Sequence, residues 1–346
     1  MVRRALRHGL RGLLLTWLTL STLFLATRAA TDKATLIQST LEGNARLSGL
    51  PEQLLLTQQL LHRYNLDRPL FYLSWQPAAG WQWHGSHNQY HQWLLQLAQG
   101  SLGYSYQEDA PVTALLGRAL RYTLPLTLLA ASLSILLAMQ LALWISYQSA
   151  VRSSVLALLH ALQSIPLFLL AVCLLLLLAN PDVVAWFPAF GLGDAETEVT
   201  WPRQPGYLLY HLTLPVLSLV LVSLPALTIQ LDGALQQELS QAYIITARAK
   251  GASLSRAVRR HALRNALLPS ITLLTELLPS LVAGSVVVEV LFALPGMGRL
   301  LAEAAATQDY PVLVGAAGLT ALVRLLAQAL ADLLYQAADP RIRLSS

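Results

Sequence analysis

Between Arg248 and Arg264 the chain carries Arg248, Lys250, Arg256, Arg259, Arg260 and Arg264 with no acidic residue among them, and an apolar run long enough to cross a bilayer lies on either side. Six uncompensated cations are too costly to hold in hydrocarbon, and membrane proteins concentrate Lys and Arg in their cytoplasmic loops. The island therefore reads as a cytoplasmic loop, and its flanks as spans of a chain that crosses the membrane repeatedly. Local signals add detail. Good helix formers precede Gly251, which can end that helix in the left-handed conformation, and Ser253 can cap a second short helix through Arg260. The expectation is a helix, a sharp turn and a short exposed helix.

Composition agrees. Of 346 residues 55% are hydrophobic and 12% charged, and the mean hydropathy is +0.51, which excludes an ordinary soluble domain. A net charge of +5 would suggest nucleic acid in a soluble protein. Here the cations sort by side of a membrane, so lipid is the expected partner and nucleic acid is not. Arg3, Arg4, Arg7, Arg11, Arg152, the island, Arg341 and Arg343 fall inside; the outer cations are diluted over a longer loop with its own acids. Cys173 stands alone, so there is no disulfide framework and no thiol metal site.

The fold class expected is an all-α polytopic membrane protein of about six transmembrane helices, with a large extracytoplasmic segment between the first and second. Residues 1–30 form the basic N-terminus and first span, an apolar run from Leu10 to Ala26 that also has the form of a cleavable signal peptide. Residues 31–118 form the extracytoplasmic segment. Residues 119–346 form a five-helix core, with spans at Tyr122 to Tyr147, Val155 to Ala179, Tyr207 to Leu231, Ser270 to Phe292 and Val312 to Tyr335, and the cytoplasmic loop at 232–269. Both termini are then cytoplasmic. Ser164-Ile165-Pro166, Pro215, Pro225 and Pro279 interrupt these spans, which suits bent helices around a pathway and equally simple packing kinks.

Two groups of polar residues stand out beyond the island. In the outer segment, His87 and His91 are spaced to share a helix face, with His84 nearby; such residues ligate soft divalent metals or sit solvated at the interface, and no metal site is assigned. Trp75, Trp81, Trp83 and Trp93 read as headgroup-level anchors. Within the spans, Glu276 and Arg324 are isolated charges. Counting about 1.5 Å per residue, they lie roughly 9 Å and 16 Å from the cytoplasmic ends of their helices, so they are candidates for a helix pair or for the pathway.

The ordered string Thr246-Ala247-Arg248-Ala249-Lys250-Gly251, His261-Ala262-Leu263-Arg264-Asn265 and Pro269 resembles the coupling loop of ABC-transporter permeases of the dipeptide/oligopeptide family. Val286 to Leu300, with Leu294-Pro295-Gly296-Met297-Gly298-Arg299, resembles that family's signature after its fifth span. Asn65 to Leu70, Gly100 to Ser105, Asp309-Tyr310-Pro311, Asp332 to Tyr335 and Asp339 to Arg343 extend the likeness along the chain. Phe71 to Trp93 is an insertion relative to the family, Ser101 replaces its usual Asp, and Glu276 and Arg324 depart from its uncharged spans.

The resemblance implies an uncleaved first span and a permease subunit in a bacterial inner membrane, moving peptides or similar small solutes by alternating access, with uptake the commoner direction. It implies a second homologous permease subunit, two ATP-binding subunits and an extracytoplasmic solute-binding protein as partners. Coupling to the ATPase falls to Ala247, Lys250, Gly251, Leu254, Ala257, Val258 and His261, with Leu254, Ala257 and Val258 as the apolar face. Glu289, Pro295, Gly296, Gly298 and Arg299 become outer-gate candidates.

No enzyme is expected. A P-loop needs Gly-Lys followed by Ser or Thr, and the two lysines, Lys33 before Ala34 and Lys250 before Gly251, do not fit, so ATP is expected on partner subunits and no cofactor on this chain. Neither His-Glu-x-x-His nor Gly-x-Ser-x-Gly occurs. The reading from another class is a non-transporting membrane scaffold or sensor that recruits a cytoplasmic partner through its basic loop.

Overall fold

The structure, a computed structural model, describes residues 2–30, 57–59, 61–77, 80–189, 191, 205–267 and 285–338. Helix α1 (Val2–Ala30) is followed by a two-stranded hairpin, β1 (Leu73–Gln76) and β2 (Gly80–Trp83), and by α2 (Gln89–Ala98). Then come α3 (Val112–Tyr147), α4 (Ser149–Gln163), α5 (Leu167–Leu178), α6 (Pro205–Leu239), α7 (Ala242–Ala249), α8 (Leu254–Ala257), α9 (Met297–Ala306) and α10 (Tyr310–Ala338).

Among the described residues, Gly12–Ala30, Val112–Tyr147, Gly206–Leu239 and Tyr310–Ala329 are long and apolar enough to cross a membrane. Helices α4 and α5 make a fifth candidate only as a broken pair, bent by 97°. The expected single span from Val155 to Ala179 is thus corrected to two segments. Pro166 has no N–H to donate and disfavours helical backbone at Ile165, so α4 ends with the Ser164 hydroxyl donating back to Ala161 O at 2.7 Å, and α5 restarts after an extended Pro166. Pro125, Pro215 and Pro225, by contrast, sit inside helices that continue through them. The predicted fifth span lies mostly outside the described residues, as do Glu276 and Pro279.

Helix α3 begins at Val112, ten residues before the predicted start, and α6 continues to Leu239, beyond the predicted end at Leu231. At about 1.5 Å per residue each exceeds 50 Å, longer than the roughly 30 Å of hydrocarbon, so each helix continues beyond its predicted span, α3 at its start and α6 at its end.

By packing, the chain divides into two units, Met1–Arg118 with Leu301–Ala321, and Ala119–Leu300 with Leu322–Ser346. In the first, Leu20, Phe24, Tyr90, Trp93 and Val314 form a core. Trp93, expected at headgroup level, is buried and stacks on Phe24 at 4.6 Å, while Trp75, Trp81 and Trp83 are exposed on the hairpin. His87 precedes the Asn88 cap of α2, so it does not share a helix face with His91; His91 pairs with Tyr72, and His84 with Ser74. No group of three metal-ligating side chains forms among the described residues.

Gly315 on α10 marks a close helix crossing. A Cβ there would lie 2.7 Å from Val112 Cγ1, at the start of α3. Nearby, Asp309 accepts from the Ser105 hydroxyl and, at 3.1 Å, from the Tyr106 N–H.

The second unit buries one cluster along α3, α5, α6 and residues 288–294, including Leu126, Ala171, Leu212, Leu219 and Phe292. A second cluster, Ala142, Leu231, Leu235, Ile244, Ala257, Val258, Ala262 and Ala266, lies under the cationic loop.

Candidate functional site

The cationic loop is a helical hairpin closed by a Schellman turn. Gly251, at φ +89°, donates its N–H to Arg248 O at 2.9 Å, and Ala252 donates to Ala247 O at 3.1 Å. A side chain at 251 would meet nothing within 4 Å, so glycine is required there by backbone conformation rather than space. Ser253 caps α8, its hydroxyl accepting the Arg256 N–H at 3.3 Å. The second helix does not stop at Arg260: it widens into a π turn over Val258–Ala262 and continues helically through 263–267.

That widening decides which face is available. Ala257 and Val258 are fully buried against Ala142, Leu231, Leu235 and Ile244, so they support the hairpin and cannot be the face offered to a partner. Of the expected coupling residues, Lys250, Gly251, Leu254 and His261 are exposed and Ala247 is half-buried. All six cations are exposed, and the most exposed apolar side chain among them is Ile245, 64% accessible. The solvent-facing residues of the hairpin are therefore cationic, with Ile245 and Leu254 among its exposed apolar side chains.

Sequence reasoning missed two polar clasps, one on this hairpin and one between the helices beside it. Tyr243 donates to Glu238, and the Asn265 amide donates to both, at 3.2 Å to each, joining the end of α6, the start of α7 and the last helical turn. Burial, with the bond to Glu238, pushes the Tyr243 phenol up to about 12. Between α4 and α6, Arg152 reaches Asp232 with Nη2 2.7 Å and Nε 3.1 Å from Oδ2. The signal for this pair was available: Arg152 is the sole charge in 122–181 and Asp232 the sole charge in 205–237.

The 289–299 segment builds a carboxylate site. The helix at 285–291 ends within a residue of the predicted boundary at Phe292, in a turn at Ala293 with φ +52°, where Ala293 and Leu294 donate to Val290 O and Glu289 O. The turn folds the start of α9 over Glu289. Its Oε2 accepts the Gly298 N–H at 2.6 Å and the Arg299 N–H at 3.3 Å, and its Oε1 accepts the Thr123 hydroxyl at 2.7 Å. Thr123 in turn accepts the Met297 N–H at 2.8 Å. Both glycines are needed for the approach, since a Cβ at Gly296 would lie 2.3 Å from Glu289 Oε2 and one at Gly298 would lie 2.3 Å from Val286 Cα. Glu289 is thus a buried carboxylate held by a helix N-terminus. Pro295 is exposed, and Arg299 donates from Nη1 to Ala293 O at 3.2 Å. Thr123 was not foreseen, because nothing local distinguishes one hydroxyl in an apolar helix.

Arg324, the other isolated charge, is exposed on α10; its proposed partner Glu276 lies outside the described residues.

Apolar spans around an exposed cationic helical hairpin define a membrane protein that crosses the bilayer repeatedly. Residues 130–344 match the family described as binding-protein-dependent transport system inner membrane component, and the chain belongs to that family. It is 32% identical to the oligopeptide transport system permease protein AppB of Bacillus subtilis, over 82% of this chain and 84% of that protein. It is 31% identical to the inner membrane ABC transporter permease protein YejB of Escherichia coli O157:H7, over 82% of this chain and 75% of the relative. In fold it is similar to a chain of the MetNI methionine ABC transporter in an inward-facing conformation, with a TM-score of 0.51 at 20% identity, over 66% of this chain and 97% of that one. The chain is therefore a multi-pass inner-membrane protein and a transport component, not an enzyme, and it works with ATPase and solute-binding partners.

Proposed function

We propose that this chain is the permease subunit of an ABC importer for peptides or similar small solutes, pairing with a second homologous permease, two ATP-hydrolysing subunits and an extracytoplasmic binding protein. The names of its relatives, oligopeptide and peptide permeases, support the solute class. The observation that carries the coupling reading is the exposed cationic hairpin, closed at Gly251 and braced from behind by its own buried cluster. An exposed cationic surface with Ile245 and Leu254 uncovered suits docking into a cleft of an ATPase, and a mount braced by a buried cluster transmits movement into α6. On this reading the loop and both termini face the cytoplasm, and ATP sits on the partner subunits.

The Glu289 clasp serves as the outer latch: it ties α3 to the start of α9 through Thr123, so these elements move together when the outer end opens. The test is reconstitution with the partner subunits. Solute uptake into proteoliposomes that depends on ATP and on this chain is the expected result; binding of the ATPases without any uptake would instead favour a scaffold.

A further inference from the structure

A cavity of about 50 Å³ lies within the first unit, between the last turn of α1, the N-terminal half of α2 and the first turn of α10. Its polar wall includes Arg28, Gln89 and Tyr106. Arg28 donates from Nη1 to Tyr64 O at 3.1 Å, and its guanidinium lies 5.4 Å from the Phe24 ring centre and 5.8 Å from that of Tyr106. Among the described residues no carboxylate reaches it. Asp109 is engaged by Arg63 at 2.9 Å and by the Tyr64 hydroxyl at 3.3 Å, and Asp309 by Ser105 and Tyr106. Arg63 is thereby neutralised, and Arg28 is left without a carboxylate partner among the described residues.

Gln89 supplies the complementary group. Its Nε2 donates to Arg68 O at 2.7 Å, and since a carbonyl only accepts, the amide nitrogen must point there and Oε1 is the atom left over. Gln89 Oε1 and the Tyr106 hydroxyl are both buried without a hydrogen-bond partner among the described residues. Such atoms are rare in native proteins, and two of them lining one small cavity beside the Arg28 guanidinium mark a polar binding site. Burial raises the Tyr106 phenol, which keeps it protonated and able to donate.

We infer that this cavity binds the head of a small amphoteric ligand, an oxyanion against Arg28 and the Tyr106 hydroxyl with an adjacent N–H donor for Gln89 Oε1. The volume admits about four water-sized groups, enough for a carboxylate and its neighbouring N–H but not for a whole peptide. Two sources share this chemistry: the C-terminal unit of a peptide, and the phosphate and ammonium of an ethanolamine phospholipid. The inference does not depend on what the transporter carries.

The test uses the full chain in nanodiscs of phosphatidylcholine, whose head has no N–H. N-acetylglycine and a short-chain phosphatidylethanolamine are titrated separately, with binding read by ligand-observed NMR and acetate as the probe lacking the N–H. Saturable binding of N-acetylglycine alone identifies the peptide-like source, of the phospholipid alone the lipid source, and of both the shared head chemistry. Tyr106→Phe removes a hydroxyl that bonds nothing among the described residues, so its thermal unfolding should be unchanged while binding weakens about tenfold, the effect of one charge-assisted hydrogen bond. Arg28→Gln should abolish binding, and acetate should bind at least about fivefold more weakly than N-acetylglycine. Absence of saturable binding by either probe, or equal binding by the wild type, Tyr106→Phe and Arg28→Gln, overturns the inference.

Discussion

Arg152 and Asp232 pair across α4 and α6, with Nη2 2.7 Å from Oδ2, the carboxylate side chain 2% and the guanidinium side chain 36% accessible. An ion pair half in solvent and half in the protein lies between two regimes: exposed pairs contribute little, whereas stripping a partner from a buried charge costs several kcal/mol. Arg152→Ala, which leaves the buried Asp232 carboxylate without its partner, should therefore lower stability by roughly 2 kcal/mol, read as a lower unfolding temperature in detergent. The swap of Arg152→Asp with Asp232→Arg should recover part of the loss. Unchanged unfolding in Arg152→Ala would show that the pair is incidental.

At Gly251 the requirement is a positive φ in open space, so substitutions should rank by backbone tolerance and not by size. Asn, which adopts the left-handed region with little difficulty, should be milder than Ala, and Val the most severe, at about 1–3 kcal/mol of local strain. Gly251→Val should insert normally yet hydrolyse ATP without uptake in the reconstituted complex. Full uptake by that variant would remove the turn from the coupling mechanism.

The burial of Ala257 and Val258 separates folding from docking. Leu254→Asp and Ile245→Asp should leave expression and unfolding within about 0.5 kcal/mol of wild type, as surface changes do, while abolishing co-purification of the ATPase subunits. Ala257→Leu overpacks the cluster and should instead destabilise the chain by about 1–3 kcal/mol. The reverse pattern, with Ala257→Leu folded but undocked, would restore the buried face as the contact.

For the latch, Glu289→Gln leaves one acceptor oxygen where two are used, so either Thr123 or the two amides lose a charge-assisted bond, a loss of roughly 1.5–3 kcal/mol. Stimulation of ATPase activity by the binding protein should fall while solute preference stays the same; a changed preference would place Glu289 in the solute path. Gly298→Ala should be worse than Gly296→Ala, because its new methyl meets the Val286 backbone whereas the other meets a side chain able to turn aside.

The spans around α1, α3, α6 and α10 were legible because length and apolarity alone force a helix across hydrocarbon, and the turn at Gly251 because a left-handed residue after a helix is a local signal. What escaped was set by tertiary approach. The π turn over Val258–Ala262 follows from packing on Leu231 and Leu235, so a sequence capped at Ser253 gave no warning that the next face would turn inward. The end of the helix at 285–291 was legible to within a residue, but the hydroxyl of Thr123 that meets Glu289 from another helix was not. Asp309 and Ser105, more than 200 residues apart, meet only in the folded chain.

The close approach at Gly315 sets a spacing. With only a hydrogen at 315, the start of α10 seats against the Val112 side chain at a distance any larger residue would forbid, since a Cβ there would lie 2.7 Å from Val112 Cγ1. Position 315 is thus a gauge of how near the beginnings of α3 and α10 can lie, and any side chain placed there would have to push one of them away.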